Sequence, residues 1–197
     1  VAIDITAGNF WGDREGHEDE ILGSKSEDCE WGHQWASIQI VGQDVPIVLD
    51  GTPVKKGKPR HEIVAELLEN AEQHVHIYRV LMDREFDDAR CLREVDERGY
   101  LYLVPKIKRN SERERIRKLN RAGKDVAVRE RKLWSKRDYD YVTETKLLYV
   151  PKKNWDGKLE SGHENMVVFM TNMEDIEETG AKSHVERYRE RWGIENG

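Results

Sequence analysis

The order of apolar segments constrains the fold of this chain more than any other feature of its sequence. Short runs typical of strands come first, and helical and strand-like runs then alternate. In order, the predicted elements are strands at 1–6, 35–41 and 45–49, a helix at 60–74, a strand at 75–82, a helix at 87–98 and a strand at 100–104. Residues 7–33 show no periodicity and are interpreted as a long loop. This order predicts an α/β fold with a five-stranded mixed sheet flanked by helices.

Residues 105–164 break this rhythm. They contain a basic helical stretch, followed by strand-like runs at 127–133 and 142–151. We interpret them as a protruding β-rich insertion with a small apolar cluster of its own. The cluster would be supplied by Leu133, Trp134, Leu147, Leu148 and Val150.

After the insertion the sequence returns to a core pattern. Residues 166–171 resemble a buried strand, and a helix is predicted from about residue 182 to the end. A chain of 197 residues suits one domain, or one domain with a large insertion. The predicted organisation is therefore a core built from 1–104 and 165–197, interrupted by the insertion.

Composition excludes some classes of protein. Hydrophobic and charged residues each make up 37% of the chain, and no apolar run is long enough to span a membrane. The two isolated cysteines suit free thiols in a reducing cytoplasm. The net charge of −6 argues mildly against nucleic acid as a partner. Residues 106–121 are strongly basic, however, and local charge decides whether a phosphate is bound.

Five residues are candidates for a functional site. Asp4 and Asp83 lie within or at the end of apolar, strand-like runs, where a charge is costly unless it binds metal or takes part in chemistry. Tyr188, Arg191 and Glu195 are spaced i, i+3 and i+7, so they share one face of a helix. The alternative for that face is an ordinary polar surface with an Arg–Glu pair.

The predicted sheet could bring Asp4, Asp83 and Glu195 to one edge. Three carboxylates at one point repel each other and therefore imply bound cations. Oxygen ligands of this kind suit Mg²⁺ or Mn²⁺, and a site with two such ions suits phosphodiester displacement. These three residues are the predicted metal ligands and catalytic residues.

Four segments together resemble those of a known family. They are Ala2-Ile3-Asp4-Ile5-Thr6, Leu81-Met82-Asp83-Arg84-Glu85-Phe86, Phe169-Met170-Thr171-Asn172 and Tyr188-x-x-Arg191-x-x-x-Glu195. The chain resembles the DDE transposases of bacterial and archaeal insertion sequences, whose catalytic domain has a ribonuclease H-like fold. The last segment resembles the Tyr-Arg-Glu-Lys signature of these enzymes. In these enzymes a β-rich insertion separates the second acid from the third, and residues 105–164 of this chain resemble that insertion.

The resemblance implies a metal-dependent transposase that cleaves DNA and transfers strands at transposon ends by a cut-and-paste route. Two Mg²⁺ or Mn²⁺ ions would be its cofactors. Its partner would be double-stranded DNA, bound by a homodimer in the nucleoid of a bacterial or archaeal cytoplasm. No membrane partner is expected.

Other residues would contact the DNA under this resemblance. Tyr188 and Arg191 would bind phosphates near the cleaved end. The basic residues Lys106, Lys108 and Arg109 are further candidates for phosphate contacts. Trp134 and Trp155 would either hold a flipped base or pack inside the insertion.

Two alternatives stay open at this point. A ribonuclease H-like nuclease or resolvase would share the three acids but would not need the insertion or the Tyr–Arg pair. A domesticated, non-catalytic DNA-binding descendant would not need to keep three clustered carboxylates. The signature's Lys would fall seven positions after Glu195, beyond Gly197, and the chain begins without Met. We therefore expect an excised domain, and whether it is active alone stays open.

Overall fold

The computed structural model describes residues 1–24, 27–45, 47–134, 142–152 and 164–188. Within them, nine strands form one sheet, and four helices pack against it. The elements are β1 (Ala2–Phe10), β2 (Ile21–Gly23), β3 (Trp31–Ile40), β4 (Ile47–Pro53), α1 (Arg60–Glu72), β5 (Arg79–Met82), α2 (Ala89–Asp96), β6 (Leu101–Pro105), α3 (Asn110–Arg121), β7 (Ala127–Trp134), β8 (Val142–Pro151), β9 (Met166–Thr171) and α4 (Glu178–Glu186). A single 3-10 turn, Arg84–Phe86, follows β5.

The sheet is mixed. Its strand order is β2-β3-β1-β5-β6-β9-β8-β7, and β4 also pairs with β3. Strands β1, β5 and β6 are parallel to one another, and the remaining pairings are antiparallel. These three strands therefore run in the same direction. Strands β5 and β6 end at one edge of the sheet, and β1 continues past that point to Phe10. Asp83, one of the predicted acids, follows β5 at this edge.

The sheet is wider than the five strands that the sequence predicted, because β7 and β8 extend it beyond β9. The prediction of a protruding insertion is therefore wrong for the described part of 105–164. The physical reason lies in β8, where Leu147 and Tyr149 face one core while Leu148 and Val150 face the other. A strand that is apolar on both faces is buried on both faces, and it belongs inside a sheet.

The predicted loop at 7–33 is also partly wrong. Strand β1 continues to Phe10, and β3 already begins at Trp31. The two strands pair over nine consecutive residues, from Ala2↔Gln39 to Phe10↔Trp31. Backbone hydrogen bonds hold this long hairpin, and much of its outer end is exposed, so it lacks the apolar alternation by which a strand is predicted.

Two apolar cores cover opposite faces of the sheet. The α1-side core contains the inward residues of α1, α2 and α3, including the predicted apolar stripe of the first helix, Ile63, Val64, Leu67, Leu68 and Ala71. The α4-side core comprises Ala2, Leu81, Leu103, Val126, Leu148, Val150, Phe169, Ile176, Ala181 and Tyr188. Among the described residues, no helix has both the length and the apolar character needed to cross a membrane.

Candidate active site

Asp4 and Asp83 are neighbours at the edge where the parallel strands end. Ile3 of β1 pairs with Met82, the last residue of β5; Asp4 is the next residue of β1, and Asp83 is the first residue after β5. Adjacent strands lie about 4.8 Å apart, so the two backbones are close at this point. The pairing register alone therefore brings together two of the three predicted acids.

The two aspartates also share a face of the sheet. Ala2 and Leu81, each two residues earlier on its strand, belong to the α4-side core. Side chains alternate along a strand, and Asp83 keeps an extended backbone with φ −74° and ψ 167°. Asp4 and Asp83 therefore lie on the face of the sheet that α4 covers in part. Both residues remain partly accessible to solvent.

The carboxylate of Asp83 is held by the turn that follows it. Its Oδ1 accepts a hydrogen bond of 2.6 Å from the backbone N–H of Arg84, which starts the 3-10 turn. This contact fixes the side chain and leaves further lone pairs on the carboxylate. Among the described residues, no basic side chain forms an ion pair with Asp83, so the acid keeps its capacity to bind a cation.

This pair of acids fits part of a metal site. Two neighbouring carboxylates supply hard oxygen ligands, and a cation between them would relieve their repulsion. No group of three or more possible metal-binding side chains occurs within the described residues. The third predicted ligand, Glu195, lies outside those residues, as do Arg191 and Trp155.

A family model of the transposase DDE domain matches residues 41–197. The chain belongs to this family. The prediction of a DDE transposase domain is therefore confirmed. The matched range includes Asp83 and Glu195 and begins after Asp4.

One solved structure gives an independent comparison for the transposase domain. The chain is similar in structure to a piggyBac transposase synaptic complex with hairpin DNA, solved by cryo-EM, with a TM-score of 0.57 and 14% sequence identity. The match covers 98% of this chain and 38% of that one, so this chain spans well under half of that transposase. At this identity the likeness concerns the fold. No curated protein sequence matches the chain.

Tyr188 lies inside the transposase domain rather than on its surface. It is 6% exposed and belongs to the α4-side core. Its ring packs edge-on against Phe169, with ring centroids 5.0 Å apart. Its hydroxyl donates a buried hydrogen bond of 3.0 Å to the carbonyl oxygen of Met82. This placement argues against the phosphate contact that the sequence predicted for Tyr188.

Lys106 is also placed differently from the sequence prediction. Its Nζ lies 2.6 Å and 2.8 Å from the two carboxylate oxygens of Asp87, and these side chains are only 5% and 3% exposed. The backbone N–H of Ile107 donates to the same carboxylate. A buried lysine paired in this way is not available to a DNA phosphate. Its predicted role in DNA binding therefore has no support in the structure.

The other predicted DNA contacts differ in accessibility. The Nζ of Lys108 pairs with Glu164 and lies 3.2 Å from the carbonyl oxygen of Met166, so this lysine is largely engaged. Arg109 is exposed at the start of α3. Trp134 is 60% exposed at the end of β7, which agrees with a surface role better than with packing inside a core.

Sequence reasoning missed two features near this edge. The first is the pairing of Asp87 with Lys106; the next acid, Asp88, instead caps α2 by accepting a hydrogen bond from the backbone N–H of Arg90. The second is the arrangement of four arginines of the basic stretch 106–121 as one exposed stripe along α3. Its signal was present in the sequence as a spacing of four residues: Arg109, Arg113, Arg117 and Arg121.

Proposed function

We propose that this transposase domain cleaves DNA and transfers strands at transposon ends, using Asp4, Asp83 and Glu195 as ligands for two Mg²⁺ or Mn²⁺ ions. The observation that carries the proposal is the register of β1 and β5, which sets Asp4 beside Asp83 in a chain of this family. Two adjacent carboxylates repel each other, and a cation bound between them would relieve this repulsion. Glu195 completes the set by its place in the matched range.

We also propose that part of the sheet is a ribonuclease H-like core. The strands β4, β3, β1, β5 and β6 lie side by side in this order, with β3 antiparallel and β5 and β6 parallel to β1. They are the five strands that the sequence predicted, now embedded in a wider sheet. The segment between β6 and β9, with β7 and β8, would correspond to the β-rich insertion of the insertion-sequence enzymes, here joined to the core sheet rather than protruding from it. The enzyme would then be of the Tyr-Arg-Glu-Lys type.

The protein's own part in the reaction follows from the acid pair. Bound metal ions would activate the attacking hydroxyl and stabilise the leaving oxygen. The carboxylates of Asp4 and Asp83 would hold these ions at the sheet edge. The backbone N–H of Arg84 keeps the Asp83 carboxylate oriented. The parallel strands place both acids on rigid backbone, which favours a preorganised site.

The arginine stripe of α3 is the surface that best suits the DNA backbone. Arg109, Arg113, Arg117 and Arg121 are all exposed. At a rise of 1.5 Å per residue the stripe is about 18 Å long. It begins just after β6, whose end lies at the same edge as the acids. This surface supplies local positive charge in a chain whose net charge is −6.

A homodimer on the DNA would suit the proposal, because a transposon has two ends to be cut. The corresponding location is the nucleoid of a bacterium or archaeon. Both points come from the resemblance to the transposases of insertion sequences.

The deciding experiment is strand transfer by the full-length enzyme, with Mg²⁺ and DNA that carries the sequences flanking its gene. We expect Asp4→Asn, Asp83→Asn and Glu195→Gln each to abolish both cleavage and joining while the protein remains folded. Cleavage without joining would favour a nuclease or resolvase, and duplex binding without cleavage would favour a domesticated DNA-binding protein. Full activity of Asp83→Asn would overturn the proposal.

DNA binding is tested separately from catalysis. Arg117→Gln should weaken binding of a generic DNA duplex without metal and reduce the salt dependence by about one counterion. The matched control is Lys132→Gln, because Lys132 is an exposed cation of β7 outside the stripe. Equal effects of the two changes would remove the assignment of α3 as the DNA surface.

A further inference from the structure

We propose that Tyr188 is a positioning residue, whose hydroxyl holds the last helix to the end of β5 beside Asp83 and does not bind DNA. The inference rests on the proposed metal site, since its consequence is the placement of that site's ligands. It differs from the role that the Tyr-Arg-Glu-Lys resemblance implies for Tyr188.

The hydrogen bond from Tyr188 joins two parts of the chain that both lead to acids. Its hydroxyl is 3.0 Å from the carbonyl oxygen of Met82, and Asp83 is the next residue. On the other side, Tyr188 lies two residues after the end of α4 and precedes Glu195 by seven residues. The bond therefore fixes the chain just before Asp83 to the start of the segment that carries Glu195.

The pairing of β5 with β6 explains why Met82 needs this partner. Leu101 of β6 donates its N–H to the carbonyl oxygen of Tyr78, the residue just before β5. In a parallel ladder the donors then recur every second residue, so residue 105 would donate to Met82. Residue 105 is proline and has no N–H. The carbonyl of Met82, a fully buried residue, is left without its ladder donor, and the hydroxyl of Tyr188 supplies one.

This geometry is difficult to combine with a phosphate contact. A phenol has a single O–H proton to donate. If Tyr188 turned that proton toward a DNA phosphate, the buried carbonyl of Met82 would lose its donor, which is costly. The ring is also held by its edge-on contact with Phe169 and is 6% exposed, so the side chain cannot reach out without leaving the core.

A second contact on α4 supports the same attachment. His184 lies one turn before Tyr188 and is buried, with its Nε2 3.4 Å from the hydroxyl oxygen of Thr171 on β9. His184 therefore contacts β9 from within α4, and Tyr188, just after α4, contacts the end of β5. Only the second of these contacts adjoins an acid of the proposed site.

The test compares Tyr188→Phe with Pro105→Ala and the double variant. Mn²⁺ binding to the chain is measured by EPR, unfolding by thermal denaturation, and affinity for a generic DNA duplex by anisotropy without metal. We expect Tyr188→Phe to weaken Mn²⁺ binding about tenfold, as changes behind metal ligands do, and to leave duplex affinity unchanged. In the double variant, the new N–H at residue 105 should recover unfolding temperature but not Mn²⁺ affinity, because it does not hold α4.

Each result either supports or contradicts the positioning role of Tyr188. Wild-type Mn²⁺ affinity in Tyr188→Phe, or weakened duplex binding in that variant, would overturn the positioning role. Recovery of Mn²⁺ affinity in the double variant would also overturn it, since the bond would then serve β5 alone. If Tyr188→Phe does not fold, the double variant is compared with Pro105→Ala instead. Asp83→Asn is the separate control: if it retains Mn²⁺ binding, the proposed metal site itself fails.

Discussion

Asp83 and Asp87 lie four residues apart, at either end of one 3-10 turn, and their surroundings are opposite. Asp83 is partly exposed, and its carboxylate accepts one backbone hydrogen bond. The side chain of Asp87 is 3% exposed, and Lys106 contacts both of its oxygens. The carboxylate of Asp83 can bind a cation from solution, whereas the carboxylate of Asp87 is already paired with the ammonium group of Lys106.

This difference shows why composition near a site is a poor guide to function. Both aspartates follow the same strand in an acidic stretch, and the sequence does not distinguish them by type. Burial and a fixed lysine make Asp87 part of the framework that supports the sheet edge. Orientation without neutralisation makes Asp83 the better metal ligand. Matched substitutions at Asp83 and Asp87 test this difference.

The largest effect is expected from Asp87→Asn. The change leaves the ammonium of Lys106 buried without its counter-charge, and removing one partner of a buried pair typically costs about 3–5 kcal/mol. Urea denaturation should therefore show a strongly reduced free energy of unfolding.

The control for this change removes both charges together. Asp87→Leu combined with Lys106→Met should be much less destabilising than Asp87→Asn, because no buried charge is left unpaired. If the single and double variants are equally unstable, the pair acts through packing and backbone contacts rather than through charge.

Much of the fold near this pair could be predicted from sequence, because it depends on local patterns. The stripe of α1 and the strands β8 and β9 occur where apolar periodicity placed them. The pairing of Lys106 with Asp87 could not be predicted in this way. It joins the end of β6 to the turn after β5, and only the register of the two strands brings these residues together.

The candidate site shows the same division. Asp4 and Asp83 could be selected because a charge in an apolar strand is unusual. The direction in which Tyr188 points could not, since helical spacing gives a face but not what that face meets. Its partner is the carbonyl of Met82, which Pro105 cannot serve as a donor. The amino-acid sequence does not show directly which backbone groups lack a partner.

An intermediate effect is expected from acid, because His184 is a buried titratable group. Burial, with smaller contributions from Arg79 and Arg187, lowers its pKa to about 4. The unfolded state takes up this proton near pH 6.5 and the folded state only near pH 4. Stability should therefore be complete above about pH 6.5 and fall as the pH drops toward 4.

Urea midpoints of wild type and His184→Gln, measured between pH 7 and 4, check this expectation. The variant should lose part of the acid sensitivity, because the other titrating groups are common to both proteins. Parallel curves over this range would show that His184 does not carry the dependence.

A smaller change in stability is expected from Asp83→Asn, the exact counterpart of Asp87→Asn in chemistry. Asn caps a helical turn about as well as Asp, so the free energy of unfolding should change by less than about 1 kcal/mol. Mn²⁺ binding measured by EPR should nevertheless be lost. Strong destabilisation by Asp83→Asn would remove the contrast between a ligand and a framework acid.

The smallest effect is expected at an ion pair that matches Lys106–Asp87 in distance but not in burial. Lys132 and Glu144 are 2.8 Å apart across β7 and β8, with side chains 65% and 74% exposed, against 2.6 Å, 5% and 3% for the buried pair. Water screens such a pair, and ordering two long side chains offsets the attraction. Lys132→Gln should leave the urea midpoint unchanged at both low and high salt. A clear loss of stability would mean that distance, rather than burial, sets the strength of ion pairs in this sheet.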